Sequence, residues 1–169
     1  MANHLITGRA ASGKSTVVGE LNRRGLTAFD TDAITGLSSW KNILTDETVV
    51  LKDSQYVDLS TLQWVWDKNI LHTFLRHKDN VFICGGADND FAFDDLFSIH
   101  FVLSVMPAVQ IERLRSRTSN DYGKNPGMFP GIIEKQRQHI ENAKLHNAII
   151  IDAEQPIHTV VDTIMSYLQ

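Results

Sequence analysis

The sequence contains a single cysteine, and this scarcity excludes two common ways of stabilising a small protein. Cys84 has no second cysteine to pair with, so no disulfide can form within the chain. A structural zinc site built from several thiolates is excluded for the same reason. So little cysteine suits a reducing compartment, and we expect the protein to be cytoplasmic.

Long hydrophobic runs are also missing. The first residues, MANHLITG, lack the positive charge and the long apolar run of a secretory signal. No later segment approaches the roughly 18 consecutive apolar residues of a membrane span. We therefore expect neither export nor insertion into a membrane.

An excess of positive charge is the third absence. The net charge is -4 at pH 7, and charges of both signs are spread along the chain. Proteins that bind a nucleic-acid backbone or an anionic membrane usually carry a broad basic surface, so we expect neither partner. With 169 residues, 43% of them hydrophobic, the chain has the size and composition of one domain. We expect residues 1–169 to form that domain, as a monomer or a homodimer.

What is present is an alternation of short apolar runs with longer segments of helical spacing. The runs lie at residues 4–7, 27–29, 81–84, 99–103 and 148–151. Strands that alternate with helices predict an α/β fold with a parallel sheet. The last helix is the clearest, because Pro156 precedes apolar residues spaced by three and four positions up to Leu168.

Two further helices are predicted between the strands. Ser60 and Gln63 match a capping box, which predicts a helix from about residue 60 to His77. Trp64 and Trp66 would then lie on different sides of that helix. Pro107 suits the first turn of a second helix, which we expect to continue through residue 114.

Two segments are predicted to be irregular. Residues 118–131 contain three glycines and two prolines, and residues 36–59 follow the second strand without a helical or strand-like pattern. Insertions of this kind often lie over a binding face. We expect the same of both segments.

A phosphate-binding motif follows the first strand. The segment GRAASGKST at residues 8–16 matches G-x-x-x-x-G-K-[ST] and leads into a helix. Its glycines let successive backbone N–H groups point at one anion, and the helix N-terminus adds partial positive charge. Lys14 can reach the β- and γ-phosphates of ATP, and Ser15 can ligate Mg²⁺. The alternative, a turn that binds nothing, does not explain the lysine and hydroxyl after the second glycine.

The nucleotide contacts predicted for this segment involve most of its residues. They are Gly8, Ala10, Ala11, Ser12, Gly13, Lys14, Ser15 and Thr16.

Two aspartates end the second strand. Asp30 and Asp32 are two positions apart, so in an extended chain both carboxylates point to the same side. Ligands bind beyond the carboxyl ends of strands in open α/β sheets, which places the pair near the phosphate-binding segment. One aspartate could hold Mg²⁺ through water while the other accepts the acceptor's proton. Which one does which stays open, and a capping or turn aspartate is the alternative.

The third strand ends in Gly85 and Gly86. Without side chains, these residues would let an acceptor lie against the backbone, and a tight turn is the alternative.

Two arginines near the end of the Pro107 helix form a further candidate site. Arg113 and Arg117 are four positions apart and share a face, whereas Arg115 points elsewhere. A guanidinium group can stack on a purine or bind phosphate oxygens through two hydrogen bonds. The alternative is a solvated basic helix end favoured by the helix dipole.

Taken together, these motifs resemble the nucleoside-monophosphate kinase and shikimate kinase group of P-loop kinases, including adenylate kinases. Residues 8–16 carry most of the resemblance, together with the aspartates 30 and 32, the glycines 85 and 86, and the two arginines. It implies a three-layer fold whose five-stranded parallel sheet is flanked by helices, with ATP and Mg²⁺ as cofactors. It also implies an acceptor region at about residues 31–59, a lid at about 118–131, and adenine contact at Ala153.

The resemblance also implies roles for individual residues. Lys14, Asp32 and Arg117 would be catalytic, and Ser15 and Asp30 would hold the metal. The acceptor would contact Asp30, Asp32, Gly85 and Gly86. Trp40 lies in the acceptor region itself and could form an aromatic floor for a base or a sugar ring, with packing in the core as the alternative. One departure concerns the acceptor region, which contains no arginine, whereas the kinases it resembles hold the acceptor's anionic group with arginines.

The predicted function is therefore transfer of the γ-phosphoryl group of ATP to a small acceptor, in the first place a nucleotide or nucleoside. A kinase for shikimate-like acids or other small alcohols is one alternative. A switch GTPase is disfavoured because the sequence contains neither Asn-Lys-x-Asp nor Asp-x-x-Gly. A P-loop ATPase with a regulatory or nucleic-acid role remains an alternative of a different class.

Overall fold

This computed structural model describes residues 2–51 and 57–168, which form eight strands and five α-helices. The strands are β1 (His4–Thr7), β2 (Thr27–Asp30), β3 (Ser38–Asn42), β4 (Thr48–Val49), β5 (Leu62–Trp66), β6 (Val81–Cys84), β7 (Ile99–Ser104) and β8 (Ile149–Asp152). The helices are α1 (Lys14–Arg23), α2 (Lys68–Leu75), α3 (Pro107–Ser116), α4 (Phe129–Leu145) and α5 (Ile157–Ser166).

The centre of the molecule is a five-stranded sheet in the order β2-β6-β1-β7-β8, with every neighbouring pair parallel. The five predicted strands and the predicted α/β class are therefore confirmed. Because all five strands run the same way, their carboxyl ends lie along one edge of the sheet. The P-loop at residues 8–16, the two aspartates and the two glycines lie at three of these strand ends.

Helices cover both faces of the sheet, which gives the predicted three layers. Leu5 and Ile6 are consecutive in β1, so their side chains enter opposite cores. Ile6 packs in the core that includes α1 and α5, and Leu5 packs in the core that includes α2. The predicted helices at α3 and α5 are confirmed, and Pro107 begins α3 as expected.

A second, antiparallel sheet in the order β4-β3-β5 stands beside the first. The prediction that residues 36–59 are irregular is therefore wrong in part, because β3 and β4 lie within them. Residues 52–56 of the predicted acceptor region lie outside the described residues.

The prediction of one helix from residue 60 to His77 is wrong, because its first part is the strand β5. The backbone of β5 pairs with β3 on one side, and on the other Trp66 N–H donates to Asn89 Oδ1 at 2.9 Å. Only tertiary contacts of this kind separate a strand from a helix in so short an apolar run. The helix α2 begins after Asp67, whose carboxylate accepts from the N–H groups of Asn69 and Ile70.

Residues 118–131 are irregular only in their first part. Residues 126–128 form a 3-10 turn, and α4 begins at Phe129, so the prediction is wrong for the last six residues. The helix α4 itself was not predicted from the sequence. The buried face of α4 includes the polar residues Gln136 and His139. They interrupt the apolar spacing by which a helix is predicted from sequence.

Among the described residues, no helix combines the length and the apolar character needed to cross a membrane.

Candidate active site

The P-loop folds back on itself around Lys14. Lys14 Nζ donates to the carbonyl oxygens of Gly8 at 2.8 Å and Arg9 at 3.0 Å. Gly13 has φ +98° at the start of α1, a conformation that an L side chain rarely adopts, and α1 has no side-chain cap. The first N–H groups of α1 are therefore left for an anion.

The charge of Lys14 is held where little water reaches it. Burial lowers the pKa of its ammonium group to about 8, while Asp32 raises that pKa and Arg9 lowers it further. A phosphate in the P-loop would supply the negative charge that this buried cation lacks.

Asp30 lies against the serine of the P-loop. Ser15 Oγ donates to Asp30 Oδ2 at 3.0 Å, and Asp30 Oδ1 accepts from the backbone N–H of Asp32 at 3.0 Å. The chain turns directly after Asp30 into a 3-10 turn over Thr31–Ala33, so the expected extended geometry is wrong. Both aspartates nevertheless line the same cavity.

Asp32 has a different environment from Asp30. Burial raises the pKa of the Asp32 carboxyl, the charge of Asp30 raises it further, and Lys14 opposes both effects. A carboxylate with a raised pKa is a better proton acceptor than an ordinary one.

Gly85 and Gly86 make room for the protein's own backbone and side chains. A Cβ at Gly86 would lie 2.6 Å from the carbonyl oxygen of Gly8, and one at Gly85 would lie 1.8 Å from Thr31 Oγ1. Gly86 lines the cavity with the aspartates, whereas Gly85 is not among the lining residues. The expected space for an acceptor is thus occupied at Gly85 by Thr31.

Arg113 joins the P-loop to the loop after β8. Its guanidinium donates to the carbonyl oxygen of Ala153 at 2.9 Å and more weakly to that of Ala11 at 3.4 Å. Arg117 donates to the carbonyl oxygen of Tyr122. Both arginines line a cavity of about 430 Å³ with Ala153. Arg115 points elsewhere as expected and lies over the ring of Phe129.

A larger cavity of about 640 Å³ connects the P-loop to the second sheet. Trp40 and Trp64 face each other across β3 and β5 with ring centroids 5.2 Å apart, and Tyr122 lies 6.0 Å from Trp40. All three rings line this cavity. Burial raises the pKa of the Tyr122 hydroxyl to about 12, so that group stays protonated. Trp66 instead packs in the core against Phe93.

The larger cavity also contains a group of charged residues that was not predicted from the sequence. Asp88 Oδ1 contacts Arg9 Nη1 at 3.0 Å and Lys135 Nζ at 2.8 Å. Arg9 stands at a variable position of the P-loop motif, so its type carried no signal, and Lys135 belongs to the helix that was not predicted. Asp88 follows the two glycines closely, which was the one available hint.

Behind the P-loop lies a buried network of histidines and aspartates. His100 Nδ1 donates to Asp94 at 2.7 Å, and its Nε2 accepts from the hydroxyl of Thr7 at 2.7 Å. His139 Nε2 lies 2.8 Å from Asp90 Oδ2. Thr7 Oγ1 also lies 3.4 Å from His139 Nε2, so the network joins β1, just before the P-loop, to β7 and α4.

In the part of the chain that the structure describes, no three histidine, cysteine, aspartate or glutamate side chains form a group that could hold a metal. The oxygens of Ser15 and Asp30 do converge, and hard oxygen ligands are those that Mg²⁺ prefers, with phosphate oxygens completing such a site. The residues present therefore fit a magnesium ion that arrives with a nucleotide.

No protein-family model and no curated protein sequence matches this chain. Solved structures match over nearly its whole length. A shikimate kinase from Bacteroides thetaiotaomicron matches with a TM-score of 0.62 at 15% identity, covering 99% of this chain and 98% of its own.

Two other matching structures have different substrates in their names. A deoxyadenosine kinase from M. mycoides with bound dATP matches with a TM-score of 0.61 at 15% identity, covering 99% of both chains. A gluconokinase from Sinorhizobium meliloti 1021 matches with a TM-score of 0.55 at 14% identity, covering 95% of this chain and 87% of its own. At such low identity the likeness establishes the fold, which is that of P-loop small-molecule kinases.

Proposed function

We propose that this protein transfers the γ-phosphoryl group of ATP to a small acceptor, in the first place a nucleotide or a nucleoside. One observation carries the proposal. A single cavity contains Lys14, the Ser15 and Asp30 pair, and Asp32 with its raised pKa. A protein that only bound a nucleotide would not need a proton acceptor such as Asp32.

The nucleotide spans both cavities. Its phosphates lie in the P-loop, where backbone N–H groups and Lys14 bind the β- and γ-oxygens. Its base occupies the smaller cavity, between the Arg113 and Arg117 side chains and the backbone of Ala153. Arg117 also lines the larger cavity, so it can stabilise negative charge on the phosphoryl group during transfer.

Asp30 and Ser15 have the oxygens for Mg²⁺, and Asp32 is left for the acceptor. Magnesium, when bound, neutralises charge on the β- and γ-phosphates. Asp32 takes the proton from the acceptor hydroxyl, whose oxygen forms a bond to the γ-phosphorus. The bond from that phosphorus to the bridging oxygen breaks, and ADP leaves. An acceptor that presents an ionised phosphate oxygen needs no such proton transfer.

The acceptor lies in the part of the larger cavity lined by Trp40, Trp64 and Tyr122. Aromatic side chains suit a flat or apolar ring, which favours a base or a cyclic alcohol over a linear chain. In this proposal residues 31–59 are the acceptor region and residues 118–131 the lid of a single domain, with cytoplasmic ATP as phosphoryl donor.

The test is a coupled ADP-release assay with a panel of nucleosides, nucleoside monophosphates, sugars and shikimate-like acids. We expect slow ATP hydrolysis that one acceptor raises sharply. Lys14→Ala should abolish transfer with little loss of stability, because the native state no longer has to bury a cation. Lys144→Ala, on the exposed surface of α4, is the matched control and should keep full activity.

Two outcomes would contradict the proposal. Unchanged turnover in Lys14→Ala would show that the P-loop lysine takes no part in the reaction. Stimulation of ATP hydrolysis by a polynucleotide, and by no small molecule, would favour the regulatory ATPase instead.

A further inference from the structure

We propose that the acceptor is itself an anion, and that Arg9 and Lys135, which both contact Asp88, bind its carboxylate or phosphate group. This inference rests on the proposed function, because it concerns the acceptor of the same reaction. It assigns a specificity role to a P-loop side chain and to a residue of α4.

Asp88 holds the two cations side by side, and both of its carboxylate oxygens already contact groups of the protein. Its Oδ1 contacts both Arg9 Nη1 and Lys135 Nζ, and its Oδ2 accepts from the backbone N–H of Trp64 at 2.8 Å. The Asp88 backbone N–H donates to the carbonyl oxygen of Trp64 at 2.6 Å. The aspartate is therefore fixed to β5, and it positions the cations rather than the ligand.

Arg9 and Lys135 keep donors that nothing in the described protein uses. Arginine has five N–H donors and lysine three. Lys135 donates one to Asp88, and Arg9 forms an ion pair with the same carboxylate through Nη1. Arg9 Nε is buried and has no hydrogen-bond partner among the described residues. The two side chains are only 16% and 20% exposed, so water replaces a ligand poorly. Unused donors on largely buried cations favour an anion that carries several acceptor oxygens.

The position of the pair suits an acceptor that also reaches the P-loop. Arg9 follows Gly8 directly, and its charge helps to lower the pKa of Lys14. Both cations line the larger cavity together with Asp32 and the ring of Trp64. A molecule whose anionic group binds the pair can therefore place its ring beside Trp64 and a nucleophilic oxygen beside Asp32.

Among the described residues, the charge of Arg9 also acts on the Asp90 carboxylate, which does not occupy the site. Burial raises the pKa of the Asp90 carboxyl, but the hydrogen bond and charge of His139 and the charge of Arg9 bring it below its ordinary value. Asp90 is 1% exposed and is not among the residues that line the cavity. Arg9, in contrast, does line the cavity.

The inference also accounts for the absence of arginine from residues 31–59. In this chain the cations come from the P-loop and from α4, which the fold brings to the same wall of the cavity.

The experiment compares acceptors in pairs that differ in one anionic group. The pairs are a nucleoside and its monophosphate, a sugar and its sugar acid, and a shikimate-like acid and its methyl ester. Phosphoryl transfer is measured by ADP release, and binding by tryptophan fluorescence with ADP present, since Trp40 and Trp64 line the cavity. The nucleoside pair tests a phosphate group, and the sugar and shikimate-like pairs test a carboxylate group. The experiment therefore distinguishes the two kinds of anion.

We expect the anionic member of at least one pair to bind at least about tenfold more tightly than its neutral partner. Arg9→Gln and Lys135→Gln should each raise the KM and Kd for that acid by roughly 10- to 100-fold, with little effect on the KM for ATP. Arg137→Gln changes an exposed cation of the same helix and should leave the preference intact.

The outcomes separate this inference from the proposed function. Phosphorylation that prefers neutral acceptors, or a preference for the acid that survives in both glutamine variants, would overturn the anion site alone. Binding of acids without any phosphoryl transfer would support the anion site and count against the kinase. Fluorescence that responds to no acid at millimolar concentration would also overturn the anion site. Thermal melting of each variant with and without ADP identifies any variant that fails to fold, and the second variant then decides.

Discussion

The fold changes the ionisation of Lys14 in a way that affects the proposed reaction. Its ammonium group is buried among the carbonyl oxygens of Gly8 and Arg9, and burial lowers its pKa to about 8. An unbound phosphate site thus contains a lysine that loses its proton in a mildly alkaline solution. The motif identifies this lysine, but only the burial sets its pKa.

This pKa makes nucleotide binding dependent on pH. Phosphate oxygens favour the ammonium form, so binding raises the pKa of Lys14 and takes up a proton between the free and bound pKa values. The affinity for ATP should change little below pH 8 and fall by up to about tenfold per pH unit above it. Calorimetric titration from about pH 7 to about pH 9.5 measures the effect. Lys14→Arg stays charged throughout, so its profile should be flat, and an equally flat wild-type profile would contradict the assignment.

The two aspartates also owe their separate roles to their surroundings. Their spacing in the sequence is compatible with either assignment. The 3.0 Å contact from Ser15 to Asp30 and the raised pKa of Asp32 support metal binding for the first and proton transfer for the second.

Among the elements, the end of β6 lies unusually close to the P-loop. A Cβ at Gly86 would lie 2.6 Å from the carbonyl oxygen of Gly8, which accepts a hydrogen bond from Lys14. Backbone atoms cannot move away as a flexible side chain can. The two glycines therefore serve the packing of one element on another.

Gly86→Ala should push the P-loop away from β6. We expect a loss of roughly 1 to 3 kcal/mol in the free energy of unfolding and a clear loss of ATP affinity, measured by urea denaturation and calorimetry. Gly19→Ala is the control, because a Cβ at this exposed position of α1 meets nothing within 4 Å. That variant should gain about 0.5 to 1 kcal/mol from its higher helix propensity. Unchanged nucleotide binding in Gly86→Ala would show that the close approach has no functional consequence.

The strand β5 and the helix α4 mark the limits of sequence-based prediction at this scale. The segment at β5 has apolar spacing compatible with a helix, and it becomes a strand because β3 lies on one side and Asp88 and Asn89 lie on the other. The helix α4 buries polar groups, including His139, that the packed molecule satisfies with Asp90. In both cases the deciding partners lie far away in the chain.

At the scale of the whole molecule, an acidic protein encloses a locally cationic site. The net charge is -4, yet the larger cavity is lined by four cations against three aspartates. The cations are Arg9, Lys14, Arg117 and Lys135, and the aspartates are Asp30, Asp32 and Asp88. Such a distribution concentrates attraction for phosphates in the cavity.

A ligand that joins so many elements should stabilise the molecule. At a hundredfold excess over its Kd, a non-hydrolysable ATP analogue with Mg²⁺ contributes about 2.7 kcal/mol. For a domain of this size that corresponds to a rise in Tm of roughly 5 to 11 °C by calorimetry. Chelation of Mg²⁺ should reduce the rise in the wild type, and Ser15→Ala should remove this dependence. A rise that is the same with and without Mg²⁺ in the wild type would contradict the roles of Ser15 and Asp30.

The sequence by itself determined the P-loop, the five central strands and the helix that ends the fold. Each of these is encoded by neighbouring residues, because backbone turns, apolar runs and helical spacing are local properties of the chain. Only the tertiary structure decided that β5 is a strand and that Arg9 and Lys135 meet at Asp88. Those contacts join residues from separate elements, and their energies depend on packing and burial that no local pattern contains.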